Sequence, residues 1–171
     1  MEHAGQGHAP VVIILGSPAD REWADRIVRG LERYGLESDV CVASAHKTPE
    51  YLLALLRERE AQAEAHVYIT VAGRSNALSG FTDAQVIAPV IACPPVSDAF
   101  GGMDILSSLR MPRGVAPLVV LEPENAALAA AKILALACPD LASRIASTQE
   151  EERRRVMDAA ADRDARQAVR P

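Results

Sequence analysis

The chain has 171 residues, which is close to the size of one average domain. Apolar residues make up 49% and charged residues 24%, the balance of a soluble globular protein. The formal net charge of −5 argues against a general nucleic-acid or anionic-membrane surface, so any anionic ligand must be held by local contacts. No apolar run approaches the roughly 18 residues of a membrane-spanning helix.

The polar N-terminal stretch, residues 1–9, lacks the pattern of a signal peptide and is predicted to be a disordered tail. The remainder, 10–171, is predicted to be one domain with a C-terminal helical extension over 139–171. Three widely spaced cysteines among apolar neighbours predict free thiols in a reducing compartment, the cytoplasm. No Cys/His spacing indicates a metal site.

Strands and helices are predicted to alternate along the chain. Val11 to Leu15 forms a β-branched run, and Ser17-Pro18 then begins a helix that ends near Gly35. A strand over 37–42 precedes a helix that opens at Thr48-Pro49, and a third strand covers 66–72. The second half continues with helix 76–83, strand 89–93, helix 102–109, strand 117–121 and helices over 123–137 and from 141 onward.

This order predicts a three-layer α/β domain, a doubly wound five-stranded parallel sheet covered by helices on both faces. Ligands of such sheets bind beyond the carboxyl ends of the strands. Alanine is unusually frequent, at 31 of 171 residues, and is concentrated in helix 123–137. That helix suits close packing, either inside the domain or against another copy of the chain.

Candidate site residues follow the first strand. Gly16 allows a tight turn, Ser17 offers a hydroxyl to a phosphate, and Asp20 offers a carboxylate to sugar hydroxyls. The alternative is a plain helix cap formed by Ser17 or Asp20. The segment is neither a Walker loop nor a dinucleotide fingerprint.

The segment after the second strand reads Ser44-Ala45-His46-Lys47. His46 is suited to move a proton near neutral pH, and Lys47 to bind phosphate. The alternative is an exposed loop in which Thr48-Pro49 only starts the next helix. His66, at the beginning of a strand, is predicted to be structural.

After the third strand come Gly73, Arg74, Ser75 and Asn76, small residues and hydrogen-bond donors against which a planar ligand fits. The alternative is a flexible turn with a salt-bridging arginine. After the fourth strand, successive prolines predict a rigid rim, and Ser107-Ser108 is suited to packing against another subunit.

Four motifs occur in the order seen in one family of purine biosynthesis: Gly16-Ser17-x-x-Asp20, 44–49 (Ser-Ala-His-Lys-Thr-Pro), 72–76 (Ala-Gly-Arg-Ser-Asn) and 104–112 (Asp-Ile-Leu-Ser-Ser-Leu-Arg-Met-Pro). With them, the chain resembles the phosphoribosylaminoimidazole carboxylase family over about residues 11–136. The resemblance implies a flavodoxin-like fold, a homo-octamer and no cofactor.

One branch of that family is a mutase that moves a carboxylate from nitrogen to carbon of carboxyaminoimidazole ribonucleotide. The other carboxylates aminoimidazole ribonucleotide directly with carbon dioxide. Lys47, where the mutases have Arg, and a loop at 73–78 without histidine resemble the direct, animal-like branch. The mutase and a non-catalytic nucleotide-binding module on the same fold remain alternatives.

The resemblance also implies roles for the candidates. His46 would accept the ring proton, and a first group would hold the ribose phosphate end, namely Ser17, Asp20, Ser44 and Lys47. A second group, Gly73, Arg74, Ser75 and Asn76, would line the carbon dioxide and imidazole end.

Overall fold

We analysed a computed structural model, which describes residues 9–168. The tail predicted over 1–9 therefore lies, apart from Ala9, outside the described residues. The strands are β1 (Val11–Leu15), β2 (Ser38–Val42), β3 (Val67–Val71), β4 (Val90–Ala92) and β5 (Leu118–Val119). The helices are α1 (Arg21–Glu32), α2 (Pro49–Glu60), α3 (Ala77–Asp83), α4 (Leu106–Leu109), α5 (Pro123–Ala135) and α6 (Pro139–Ala168).

All strand pairs are parallel, and the sheet order is β2-β1-β3-β4-β5. The predicted three-layer, flavodoxin-like α/β architecture with a C-terminal helix is confirmed. The order in which strands are added reverses between β1 and β3, because β2 lies on one side of β1 and the later strands lie on the other. The carboxyl ends of β1 and β3, at Leu15 and Val71, lie side by side. A ligand site is expected at this edge because the loops leaving β1 and β3 diverge there.

The two faces of the sheet carry separate apolar cores. Alternate residues of β1, such as Val11 and Ile13, pack with α1 and α5, whereas Val12 and Ile14 pack with α2 and α3. Both β1 and β3 are buried along their whole length. Burial on both faces explains why β1 is a continuous apolar run, whereas β3 includes Thr70, whose buried hydroxyl has hydrogen-bond partners.

The alanine-rich helix α5 belongs to the domain's own core. Its alanines at 126, 127, 130 and 131 are 0% exposed; the first three pack on the sheet and α1, and the last packs on Tyr34 and the first turns of α6. A Cβ added to Gly30 of α1 would lie 2.7 Å from the Ala127 Cβ, so the helices meet at van der Waals distance only because small residues face each other. Of the two alternatives for these alanines, the internal one is right.

Helix α6 continues without a break for 30 residues. Its first turns are part of the fold, since Leu141 and Ile145 are buried against Tyr34 and Ala131. Farther along, Val156 and Met157 are 70% and 71% exposed. No helix within the described range 9–168 is long and apolar enough to cross a membrane.

The segment predicted as a helix over 102–109 is different in the structure. A 3₁₀ segment at Ala99–Ile105 is kinked, because Phe100, Gly101 and Gly102 all have positive φ, and only Leu106–Leu109 is α-helical. Glycine makes this left-handed turn cheap at two of the three positions. The kink brings residues 104–108 back towards the loop that follows β3.

Candidate active site

A cleft of about 580 Å³ lies beyond the carboxyl ends of β1 to β4. Its lining includes ten of the eleven residues singled out in the sequence: Gly16, Ser17, Asp20, Ser44, Ala45, His46, Lys47, Gly73, Arg74 and Ser75. The expectation that the segments after these strands meet at one edge is confirmed. Asn76 is the exception and does not line the cleft.

The loop after β1 combines close packing with an available carboxylate. Gly16 passes so near β3 that an added Cβ would lie 3.2 Å from the Ala72 Cβ. The Ser17 Oγ accepts a hydrogen bond from the Ala19 backbone N–H at 3.2 Å, which is the capping role given above as its alternative. Asp20 caps nothing with its side chain.

The half-buried Asp20 carboxyl faces the cleft. Partial burial raises its pKa above the ordinary value, although the Ser17 backbone and the positive charge of Arg74 both act in the opposite direction. Arg74 is therefore close enough to act on Asp20 electrostatically. Both residues line the cleft, where a polar ligand can contact a carboxyl group and a guanidinium group.

The loop after β2 is closed by its own hydroxyl groups. Thr48 Oγ1 accepts from the Ser44 backbone N–H at 2.9 Å, and Ser44 Oγ accepts from the Lys47 backbone N–H at 3.2 Å. Thr48 thus closes the turn and makes no side-chain cap on α2. The His46 and Lys47 side chains are exposed, and in the described part of the chain neither has a hydrogen-bond or ion-pair partner. The turn presents an imidazole and an ammonium group to the cleft.

The loop after β3, for which a flexible turn was the alternative, is held by hydrogen bonds to residues 104–108. Arg74 has a φ of 60°, which is uncommon for a residue other than glycine. The Asn76 side chain is buried and fully used: its Oδ1 accepts from the Ser79 backbone N–H (3.2 Å) and Oγ (2.8 Å), and its Nδ2 donates to Ser108 Oγ (2.8 Å). Asn76 therefore caps α3 and connects the loop after β3 to Ser108.

Some lining residues were not singled out in the sequence. Pro95, Val96 and Ser97, which follow β4, close the cleft on the side of Arg74. The rule that ligands bind beyond strand ends places them at this edge, and the successive prolines had indicated a rigid rim. Asp104 and Ser107 belong to the motif at 104–112, but nothing in the sequence placed them at the β3 loop, which they hold through hydrogen bonds. Ser107 and Ser108, considered as residues that pack against another subunit, both bond to Asn76 of the same chain.

The arrangement suits proton transfer on a small anionic substrate. His46 presents an exposed imidazole, a side chain that can accept or donate a proton. Lys47 and Arg74 supply positive charge for phosphate or carboxylate, and Ser17, Ser44 and Asp20 supply groups that hydrogen-bond to hydroxyls.

His66 has the structural role predicted for it. It lies at the beginning of β3, where its Nε2 is 2.9 Å from Glu60 Oε1 and its Nδ1 is 2.8 Å from the Glu64 carbonyl oxygen. Tyr68 donates to the same Glu60 oxygen at 3.2 Å. This group of residues is at the amino edge of the sheet, opposite the cleft.

The chain is similar to known proteins over most of its length. The family model described as AIR carboxylase matches residues 10–155. The phosphoribosylaminoimidazole carboxylase of Archaeoglobus fulgidus is 52% identical over 148 residues, covering 86% of this chain and 81% of that protein.

A solved structure agrees with the sequence match. The crystal structure of Treponema denticola PurE superposes with a TM-score of 0.88 at 45% identity, covering 89% of this chain and 96% of that one. A bifunctional phosphoribosylaminoimidazole carboxylase/succinocarboxamide synthetase of Drosophila melanogaster is 41% identical over 126 residues, which are 74% of this chain and 29% of the larger protein.

Proposed function

The chain belongs to the AIR carboxylase family, and we propose that it carboxylates aminoimidazole ribonucleotide directly with carbon dioxide. As a member it is a phosphoribosylaminoimidazole carboxylase of purine biosynthesis. The proposal concerns the source of the carboxylate: free carbon dioxide, rather than a carboxyamino group already on the substrate. The observation that carries it is the composition of the cleft at the β3 loop.

That loop presents Gly73, Arg74 and Ser75 to the cleft, and among the residues 9–168 that the structure describes, His46 is the only histidine that lines it. By resemblance, the mutases have a histidine in this loop and an arginine after the first histidine, where this chain has Lys47. Similarity to animal bifunctional carboxylases at 36–41% identity supports the same branch.

The reaction needs position and one proton acceptor. Aminoimidazole is an electron-rich ring whose C4 attacks the carbon of carbon dioxide. The new C–C bond forms as one C=O π pair becomes the carboxylate, and the C4–H electron pair restores the aromatic ring. His46 accepts the departing proton and passes it to solvent, to which its side chain is open. The balance is one ribonucleotide plus carbon dioxide giving carboxylated ribonucleotide plus one proton.

The remaining residues bind and orient the substrate. Ser17, Asp20, Ser44 and Lys47 hold the ribose phosphate end, where the Lys47 ammonium offsets phosphate charge. Gly73, Arg74 and Ser75 hold the carboxylate as it forms. Asn76 contributes through the loop it fixes, because all its side-chain bonds to neighbouring residues are internal.

Assembly and location are part of the proposal. We expect a homo-octamer in the cytoplasm, as the resemblance implies. Large apolar side chains next to the cleft support burial between subunits, since Val96 and Phe100 are 77% and 87% exposed. The three cysteines are free thiols, which suits a reducing compartment. Native mass spectrometry of the purified protein measures the subunit number, and a monomer would contradict the octamer.

A labelling experiment tests the carboxylate source. Purified protein receives unlabelled carboxyaminoimidazole ribonucleotide or aminoimidazole ribonucleotide, each with ¹³C-bicarbonate and carbonic anhydrase. We expect turnover with aminoimidazole ribonucleotide and ¹³C in the product carboxylate. Turnover of the carboxyamino substrate alone, with an unlabelled product, would identify a mutase. Ribonucleotide binding without either turnover would identify a non-catalytic module.

A further inference from the structure

The β3 loop contains a strained residue that faces the cleft. Arg74 has left-handed backbone geometry, with φ at 60°, which is unfavourable for a residue with a side chain. Such geometry persists only where the surrounding structure fixes it. At Arg74 the residues that fix it come from a distant part of the chain.

Both backbone polar groups of Arg74 are bound by the kinked segment that precedes β5. Asp104 Oδ2 accepts from the Arg74 N–H at 3.1 Å, and Ser107 Oγ donates to the Arg74 carbonyl oxygen at 2.9 Å. Ser107 Oγ also accepts from the Asn76 N–H at 3.0 Å and is 2.8 Å from the Asp104 carbonyl oxygen. We name Asp104 and Ser107 the loop clamp.

The loop clamp is anchored to the sheet by buried hydrogen bonds. Asn76 joins Ser108 to Ser79, and Ser79 Oγ lies 2.7 Å from Thr70 Oγ1 in β3. Asn76, Ser79, Thr70 and Ser108 are all at most 3% exposed. The clamp therefore transfers the rigidity of the sheet to Arg74.

We propose that Asp104 and Ser107 are positioning residues for carboxylation, holding the backbone of Arg74 so that its side chain stays at the cleft that Asp20 also lines. The inference rests on the proposed function and adds a determinant that lies behind the substrate-facing residues. Neither clamp residue lines the cleft itself, although Asp104 lines a smaller adjoining cavity of about 180 Å³ on the far side of Gly73 and Arg74. Their effect reaches the substrate through the backbone of Arg74.

The experiment compares Asp104→Ala and Ser107→Ala with a matched control. Asp83 makes the same kind of contact elsewhere: its Oδ2 accepts from the Ala116 backbone N–H at 2.7 Å, away from the cleft. Asp83→Ala thus removes an equivalent carboxylate-to-backbone bond without touching the loop. Asp104→Asn and Ser107→Thr retain an acceptor and a hydroxyl, respectively, and serve as rescue variants.

We expect each alanine variant of the clamp to raise KM for aminoimidazole ribonucleotide about tenfold, because a displaced Arg74 loses one charge-assisted hydrogen bond to the substrate. The acid limb of kcat/KM should move to higher pH, because Asp20 loses the Arg74 charge that lowers its pKa. Asp83→Ala should change neither quantity, and the rescue variants should recover most of the KM.

Hydrogen exchange at the Arg74 amide, measured without substrate, tests the clamp independently of turnover. It should accelerate in Asp104→Ala and not in Asp83→Ala. The clamp proposal would be overturned if the wild-type enzyme is active and the clamp variants match Asp83→Ala in KM, pH profile and exchange. The proposed function would be unaffected by that result. Wild-type protein that carboxylates nothing would overturn the proposed function, and with it this role. If Asp104→Ala does not fold, Ser107→Ala carries the same comparison, with Ser107→Thr as its rescue variant.

Discussion

The two edges of the sheet use similar side chains in opposite ways. At the carboxyl edge, His46 is exposed and unpaired within the described residues, and the pKa of Asp20 is raised by partial burial. At the amino edge, both ring nitrogens of His66 face acceptors at 2.8 and 2.9 Å, and Glu60 accepts from three donors. A histidine and a carboxylate thus line a candidate site at the carboxyl edge, whereas at the amino edge they bind each other and stabilise the fold.

The difference lies in what surrounds each carboxylate. Burial by itself raises the pKa of Glu60, but hydrogen bonds from the Ile87 backbone N–H, His66 and Tyr68 outweigh it and leave the pKa lowered. Asp20 has no comparable set of donors, so burial dominates. Unsatisfied polar groups at the cleft are available to a ligand, whereas satisfied ones stabilise the fold.

Replacing each of the two histidines by asparagine, in separate variants, should give the largest difference between the two edges. His46→Asn is expected to lower kcat by about 10²–10⁴-fold, the usual contribution of a general base, with ribonucleotide binding and unfolding unchanged. His66→Asn should keep kcat in the folded protein and lower the urea midpoint. Steady-state kinetics and urea unfolding of both variants measure this, and full turnover by His46→Asn would remove the proposed mechanism.

Removing the Glu60 carboxylate should have the next largest effect. Glu60→Ala leaves His66, Tyr68 and the Ile87 N–H without their acceptor, and we expect a loss of about 2–3 kcal/mol in the free energy of unfolding at pH 7. The control is Asp25→Ala, which breaks an exposed pair with Arg21 and should cost less than about 1 kcal/mol.

The Glu60 effect should depend on pH in a defined direction. Since the folded pKa is lowered, the stabilisation is fully present above the ordinary pKa of glutamate and is lost as the pH falls through the folded pKa. Unfolding curves of wild type and Glu60→Ala should therefore converge as the solution becomes acidic. A constant difference down to pH 3 would show that the carboxylate charge is not responsible.

Asp20→Asn should behave in the opposite way. We expect ribonucleotide affinity to fall about tenfold through loss of a charged acceptor, with no loss of stability at pH 7. A raised folded pKa means that ionisation of Asp20 costs stability as the pH rises through that pKa, so an uncharged residue removes this cost. Calorimetric titration with aminoimidazole ribonucleotide and urea unfolding measure both. Asp25→Asn, one helical turn into α1 and outside the cleft, should leave affinity unchanged.

Much of the fold could be predicted because its signals are local. The β-branched runs of β1 and β3 and the turn residues between elements determine the alternation, and alternation determines a parallel sheet with its site at the carboxyl edge. The kink at Phe100 could not be predicted, because Gly101 and Gly102 only permit positive φ and do not require it. The kink brings Asp104 into hydrogen-bond contact with Arg74, 30 positions away in the sequence. No periodic pattern in the sequence predicts that contact.

The sequence predicted which residues lie near the candidate site better than it predicted which of their side chains face the cleft. The strand-end rule selects His46 and Lys47 from their positions alone. It selects Asn76 equally, although that side chain is used inside the protein. Whether a polar group after a strand faces the cleft or caps the next helix depends on the partners that the fold brings to it. For Asn76 one of these partners is Ser108, which lies in a separate segment of the chain.

Tyr68→Phe is the smallest change that still separates the two edges. The Tyr68 ring is fully buried and its hydroxyl donates to Glu60 at 3.2 Å, so the variant should lose about 1 kcal/mol of stability and no activity. The loss is less than for Glu60→Ala, because Glu60 keeps two donors. In the Glu60→Ala background the hydroxyl has lost its acceptor, and the same change should cost nothing. Urea unfolding of the four proteins gives this coupling, with exposed Tyr51→Phe as the control. Equal losses in both backgrounds would show that Tyr68 stabilises the amino edge by packing alone, and the contrast would then rest on His66 and Glu60.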